Sequence, residues 1–133
     1  MSIKAVIDTN VLVSSFISKN PHSPTVRIAK AIADGSFVPV FSDGMIGEYE
    51  EVLGRGHFNF AKAEVALLIR RIRECGESVL PSDSDEEFPD PDDKVFFCTA
   101  LASNARLVTG NIKHYPKSAV VVTPAEFCDI LGI

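Results

Sequence analysis

Apolar residues fall in short runs along this chain, and the stretches between the runs carry helical periodicity. Residues 3–7 (IKAVI) end abruptly in Asp8-Thr9-Asn10, the pattern of a buried strand that runs into a loop and a helix. A helix is predicted over about 24–33, stopped by Asp34-Gly35, because glycine readily takes the left-handed turn that closes a helix. Residues 37–41 (FVPVF) read as a second strand, and Pro39 places that strand near a sheet edge. Ser42-Asp43 is a capping signal for a helix that runs to about Leu53, where Gly54 and Gly56 break it. Residues 61–74 form the strongest amphipathic helix, with Val65, Leu68, Ile69 and Ile72 on one stripe and the basic residues late. A short strand at 77–80, a helix at about 92–103, strands at 106–109 and 119–122, and a last helix opened by Thr123-Pro124 complete the pattern.

This alternation predicts parallel βαβ units, hence an α/β fold with one mainly parallel sheet covered on both faces. In such a sheet the strand-to-helix junctions share the carboxyl edge, where ligands bind. Asp8, Glu48, Glu50, Asp90 to Asp93 and Asn111 all belong to junctions on that edge. Carboxylates crowded together stay ionised only if a cation offsets them, and hard oxygen ligands without Cys or His suit Mg²⁺ or Mn²⁺.

Each of these residues also has an ordinary structural reading. Asp90-Pro91-Asp92-Asp93 is what a capped helix N-terminus looks like. At about 100° per residue, however, Asp93 projects into the stripe made by Phe96, Phe97 and Ala100. A capping acid has no reason to point inward. Glu48 and Glu50 lie at opposite margins of the stripe Met45, Ile46, Tyr49, Val52 and Leu53, so phase alone leaves both open. Asp8 fits a turn, Thr9 or Asn10 a helix cap, Gly110-Asn111 another turn, and His114 a surface histidine.

Charge sharpens this picture. The chain of 133 residues carries a net charge of -5, which excludes a polybasic nucleic-acid or membrane binder. Seven of the carboxylates fall within residues 83–93, and the remainder of the chain stands at +2. Cys75, Cys98 and Cys128 fit neither a disulfide framework nor zinc spacing, and reduced thiols in a cytoplasmic protein are expected. No signal segment or membrane span is apparent. The spacing Asp83, Asp85, Glu87 fails as a calcium loop because Phe88 occupies its glycine position. No phosphate-binding glycine motif occurs.

Four segments, IDTNVLVSSF at 7–16, SDGMIGEYEEVL at 42–53, DPDDKVFFCTALA at 90–102 and LVTGNIKHYP at 107–116, together with the C-terminal VVTPAEFCDIL, resemble PIN-domain nucleases in order and spacing. The chain is most similar to the toxin components of toxin-antitoxin systems, the VapC-like group. The resemblance implies a single PIN-like domain over 1–133, a three-layer α/β/α sandwich whose acidic cluster binds Mg²⁺ or Mn²⁺ and hydrolyses RNA. It implies Asp8, Glu48 and Asp93 as metal-binding and catalytic carboxylates, with Thr9, Asn10 and Thr109 in support. Many members carry Asp at the position of Asn111, so the fourth ligand is neutral here and Asp90 is the other candidate for that role. Phosphates would be held by Lys113, His114 and Lys117, with Arg70, Arg71 and Arg73 as a second basic group. An antitoxin protein and a homodimer are the partners that the resemblance suggests. Two other readings are a non-catalytic module whose acidic pocket docks a basic peptide, and a divalent-dependent phosphatase acting on small substrates.

Overall fold

A computed structural model describes residues 2–133. In chain order these residues form β1 (Lys4–Ile7), α1 (Thr9–Ile17), α2 (Pro24–Asp34), β2 (Val38–Phe41), α3 (Asp43–Leu53), α4 (Lys62–Cys75), β3 (Glu77–Ser78), α5 (Pro91–Ser103), β4 (Arg106–Val108), a 3-10 turn (Ile112–His114), β5 (Val121–Val122) and α6 (Pro124–Leu131). All strand pairs among the described residues are parallel, in the order β3-β2-β1-β4-β5. The fold is a three-layer α/β/α sandwich: α5 lies across β1, β2 and β4, while α4 packs on β2 beside α2, which in turn holds α6. No helix among these residues is long and apolar enough to cross a membrane.

The central strand β1 explains its own composition. Ala5, Val6 and Ile7 are at most 1% exposed because a parallel strand between two helical layers buries both faces. The chain runs outward from β1 to β2 and β3, then returns through α5 to β4 on the other flank of β1. This reversal makes a crevice at the carboxyl ends of β1 and β4, the usual ligand position of open α/β sheets. Asp8 and Thr109 follow directly after the paired residues Ile7 and Val108.

One local expectation is refined and one is corrected. Pro39 lies in β2, second from the edge of the sheet and beside the two-residue edge strand β3, near the edge as expected. It is tolerated because Val38 donates its N–H toward β1, to the carbonyl of Ile3. The alternate position, where proline has no N–H to give, faces β3, and β3 pairs only with Val40 and Phe41. The loop expected after β1 is also missing: helix α1 begins at Thr9, with Asp8 at the capping position. Of the expected caps, Ser42 stands at the N-cap position of α3 but makes no side-chain cap hydrogen bond, and Thr9 and Asn10 lie inside α1 and do not cap it; two others are made. Asp90 accepts from the N–H of Asp92, and Thr123 with Glu126 forms a reciprocal capping box.

Gly76 is required by close approach, since a Cβ there would stand 2.2 Å from the Pro39 carbonyl oxygen and 2.4 Å from that of Ile72. Both are backbone atoms that cannot swing aside. Gly76→Ala is expected to cost about 1–3 kcal/mol, the range of overpacking. Gly47→Ala, on α3 with nothing within 4 Å, should stabilise by up to about 1 kcal/mol. Urea unfolding of the two variants checks both signs.

Candidate active site

Among the described residues the buried polar side chains are Asp8, Thr9, Ser42, Thr99 and Thr109. All of them lie at the carboxyl edge or bond to a residue there. Asp8 is 4% exposed and is seated by its backbone: its N–H donates to the Val108 carbonyl at 2.9 Å, and its own carbonyl accepts from Val11 in the first turn of α1. The side chain therefore projects into the crevice. Thr109 Oγ1 donates to Asp8 Oδ2 at 2.7 Å and accepts from the Asn111 N–H at 3.0 Å, which settles the direction of its proton. The Tyr115 hydroxyl reaches the same Oδ2 at 3.4 Å.

Glu48 is the carboxylate of α3 that joins this edge. Thr9 Oγ1 donates to Glu48 Oε2 at 2.7 Å, so Thr9 ties α1 to α3. Glu50 and Glu51 are exposed, and Glu51 pairs with Arg55 one turn on. The choice that phase left open thus falls to Glu48. Tyr49, beside it and buried, donates its hydroxyl to the Ile7 carbonyl and locks α3 on the last residue of β1. Ser42 spends its hydroxyl on Thr99 at 2.9 Å and makes no cap hydrogen bond, so it links the start of α3 to α5.

Asp93 points inward as its helical phase predicts, with a side chain 16% exposed, whereas Asp92 faces solvent. His114 Nδ1 lies 3.5 Å from Asp93 Oδ2, near enough for charge but not aligned as a hydrogen bond. Oδ2 is accordingly buried without a hydrogen-bond partner, an arrangement that costs free energy unless something supplies positive charge. Asp90 is exposed and engaged in its cap. Asn111 uses its N–H on Thr109 and lines, with Asn10, a small hollow beside the site.

The electrostatics agree across the three carboxyls. Burial, foremost, raises the pKa of Asp8, while the Thr109 hydroxyl and the amides of Asn10 and Thr9 partly offset it without closing a cap hydrogen bond. Glu48 is raised by burial and by the charges of Asp92, Asp8 and Asp93, against the bond from Thr9. Asp93 is raised by burial and then by Asp8 and Asp90, with His114 opposing. Burial and the nearby Asp8 also hold the Tyr115 hydroxyl protonated far above its usual range, so it can only donate to the carboxylate.

An all-oxygen donor set and an orphaned buried carboxylate oxygen fit a hard divalent cation. As they stand, no three His, Cys, Asp or Glu side chains among the described residues are close enough to grip an ion. The residues are assembled on one edge but not drawn together.

The sequence model of the PIN domain matches residues 4–113. The chain belongs to the PIN-domain family. No curated protein matches it. PIN domains are nucleases in general, so a hydrolytic enzyme acting on nucleic acid is the coarse functional statement, and divalent metals are the usual requirement of the family.

The two basic groups separate. Lys113, His114 and Lys117 are exposed beside the PIN-domain edge. Arg70, Arg71 and Arg73 lie near the carboxyl end of α4, which leads into β3 at the opposite, amino edge of the sheet. There Arg70 pairs with Glu74 at 2.6 Å and Arg71 donates to the Ala33 carbonyl in the last turn of α2. These two arginines serve helix ends and surface pairing, away from the acidic edge. Tyr115 is the residue that the sequence reading missed. Its signal was slight, one aromatic residue shortly after Thr109-Gly110-Asn111.

Raised carboxyl pKa values mean that the folded chain binds protons more tightly than the unfolded chain, so this cluster's contribution to stability falls as pH rises through and above the ordinary carboxylate range. Asp93→Asn is therefore expected to raise the thermal midpoint at neutral pH, with the gain disappearing in acid. Calorimetric scans across pH, with and without Mn²⁺, test this, and Mn²⁺ should raise the midpoint of the unsubstituted chain more than that of the variant.

Proposed function

We propose that this PIN domain is a divalent-metal-dependent ribonuclease that hydrolyses RNA phosphodiesters within the strand. The observation that carries the reading is the buried Asp93 Oδ2, which has no hydrogen-bond partner and only His114 near it, on the same edge as Asp8 and Glu48, three carboxyls from separate elements whose pKa values are all raised. Asp8, Glu48 and Asp93 would hold Mg²⁺ or Mn²⁺, which when bound polarises a phosphate and makes a water more acidic. The chain itself supplies orientation. Thr109 and Tyr115 hold Asp8, Thr9 holds Glu48, and α5 presents Asp93. Asn111 and Asp90 are secondary, because one is neutral and the other is engaged in capping. Lys113 and Lys117 provide positive charge, and His114 a ring N–H, for the phosphates on either side of the one cleaved.

We further propose that the enzyme is the toxin of a toxin-antitoxin pair, on the strength of the sequence resemblance and of an acidic edge able to receive a basic segment of an antitoxin. A small DNA-binding protein encoded immediately upstream is the expected genomic neighbour, and its gene should restore growth when both are expressed. A partner that fails to relieve toxicity would remove this part of the reading.

Hydrolysis is tested with purified protein and RNA in Mn²⁺. Asp8→Asn and Asp93→Asn should each lower the rate by at least about 100-fold, beyond what groups behind the metal ligands usually cost. Equal rates in the variants and the unsubstituted chain would leave only a docking role for the acidic edge. Turnover of a phosphomonoester but not of RNA would make the protein a phosphatase.

A further inference from the structure

Beyond the 3-10 turn, the chain from Ile112 to Val121 curls around a hollow of about 280 Å³. Ile112, Pro116 and Val121 give it an apolar floor, and Lys113, Lys117 and Ser118 stand around it. The curl is held by its own backbone, with Val121 N–H donating to the Ser118 carbonyl at 3.2 Å and Val120 N–H to Ser118 Oγ at 3.3 Å. Among the described residues neither lysine is paired with an acid, in a protein whose net charge is -5. Tyr115 connects the hollow to the candidate site, since the same residue lines the hollow and directs its hydroxyl to Asp8.

We infer that this hollow is a subsite for one nucleotide of the RNA strand, adjacent to the nucleotide whose phosphate is cleaved. The inference rests on the nuclease reading for its substrate class and adds a place, an occupant and residue roles. The volume lies just under the roughly 300–1,000 Å³ of sites for drug-sized ligands, which suits a single nucleoside and not a longer segment. Its apolar floor takes a base, which every nucleotide offers, and the Ser118 hydroxyl can meet a base edge or a sugar hydroxyl. Lys113 and Lys117 hold the phosphates on the two sides of that nucleoside as point charges. A strand whose phosphate lies at Asp8 and Asp93 leaves the acidic edge past Tyr115, and the hollow is where it first meets positive charge. The acidic edge repels the strand and the hollow draws it, so the pair fixes the direction in which the strand passes.

The test separates this inference from catalysis by omitting metal. Binding of a short labelled single-stranded RNA is followed by fluorescence anisotropy in EDTA over a salt series, for the unsubstituted chain and for the Lys113→Ala, Lys117→Ala double variant. Two lost phosphate contacts should flatten the slope of log affinity against log salt by about 1.4 and weaken binding at low salt by roughly tenfold or more. In parallel, adenosine 5′-monophosphate is titrated by NMR, and the resonances of Ile112, Ser118 and Val121 should move in the unsubstituted chain but not in the double variant. An unchanged salt slope, or nucleotide-induced shifts that avoid these three residues, would overturn the subsite even if Asp8-dependent RNA cleavage is found. Conversely, shifts at these residues in a protein that does not cut RNA would overturn the subsite as part of a cleavage site, discard the nuclease reading and leave only a nucleotide-binding hollow.

Discussion

The hydrogen bond from the Asp8 N–H to the Val108 carbonyl is the contact on which the rest of the edge depends. It extends the β1–β4 ladder by one step past the last paired residues, Ile7 and Val108. A backbone bond in a buried ladder allows little lateral play, so the carboxylate that follows it inherits the rigidity of the sheet. Thr109 is carried to the same height just past the end of β4, and helix α1 starts directly after Asp8. Tyr49 repeats the device from α3 by bonding to the carbonyl of Ile7. The candidate site is therefore built at the ends of rigid elements, which fix the backbone positions from which its side chains project.

The partners chosen for the acids matter as much as their positions. Asp8 is held by two hydroxyls and Glu48 by one. Apart from His114 near Asp93, no basic side chain among the described residues forms an ion pair with any of the three. Neutral donors orient a carboxylate while leaving its charge uncompensated, whereas a lysine would have satisfied it. The fold thus accepts a destabilising concentration of negative charge at one edge. Such local tension is characteristic of sites that act on a ligand and not of sites that merely hold the chain together.

Much of this was legible in the sequence because parallel strands are short apolar runs and their junctions are polar by necessity. The phase of Asp93 relative to Phe96 and Phe97 predicted an inward acid, and the fold places it there. The choice between Glu48 and Glu50 was not legible in helical phase and was made only by the family resemblance, since both flank the same stripe and the contact that ties Glu48 to the edge is a hydroxyl on another helix, Thr9. Tyr115 was hidden for a related reason: its partner lies 107 positions away, and nothing local marks an aromatic residue whose hydroxyl is used elsewhere. Pro39 pointed to a place near the edge, and the edge strand beyond it is too short to need the missing N–H. The late arginines of α4 were ambiguous until the topology put them at the far edge of the sheet.

The acidic segment is pinned to the body by an aromatic residue at its middle. Phe88 packs on Phe97 of α5 at 5.6 Å between ring centroids and edge-on to Tyr115 at 6.1 Å, so the loop is fastened at the back of the tyrosine that faces Asp8. Asp8 itself is joined to Thr109 and Tyr115 across 101 and 107 positions of sequence. During synthesis, then, Asp8 is made before Glu48 and Asp93 but is seated only after the residues that hold it, Thr109 and Tyr115, have followed. A chain interrupted before β4 carries Asp8, Glu48 and Asp93 and can pair β1 with β2, but it lacks the Val108 carbonyl, Thr109 and Tyr115 that seat the first of them. The acidic edge comes into being only once β4 has docked on the other flank of β1.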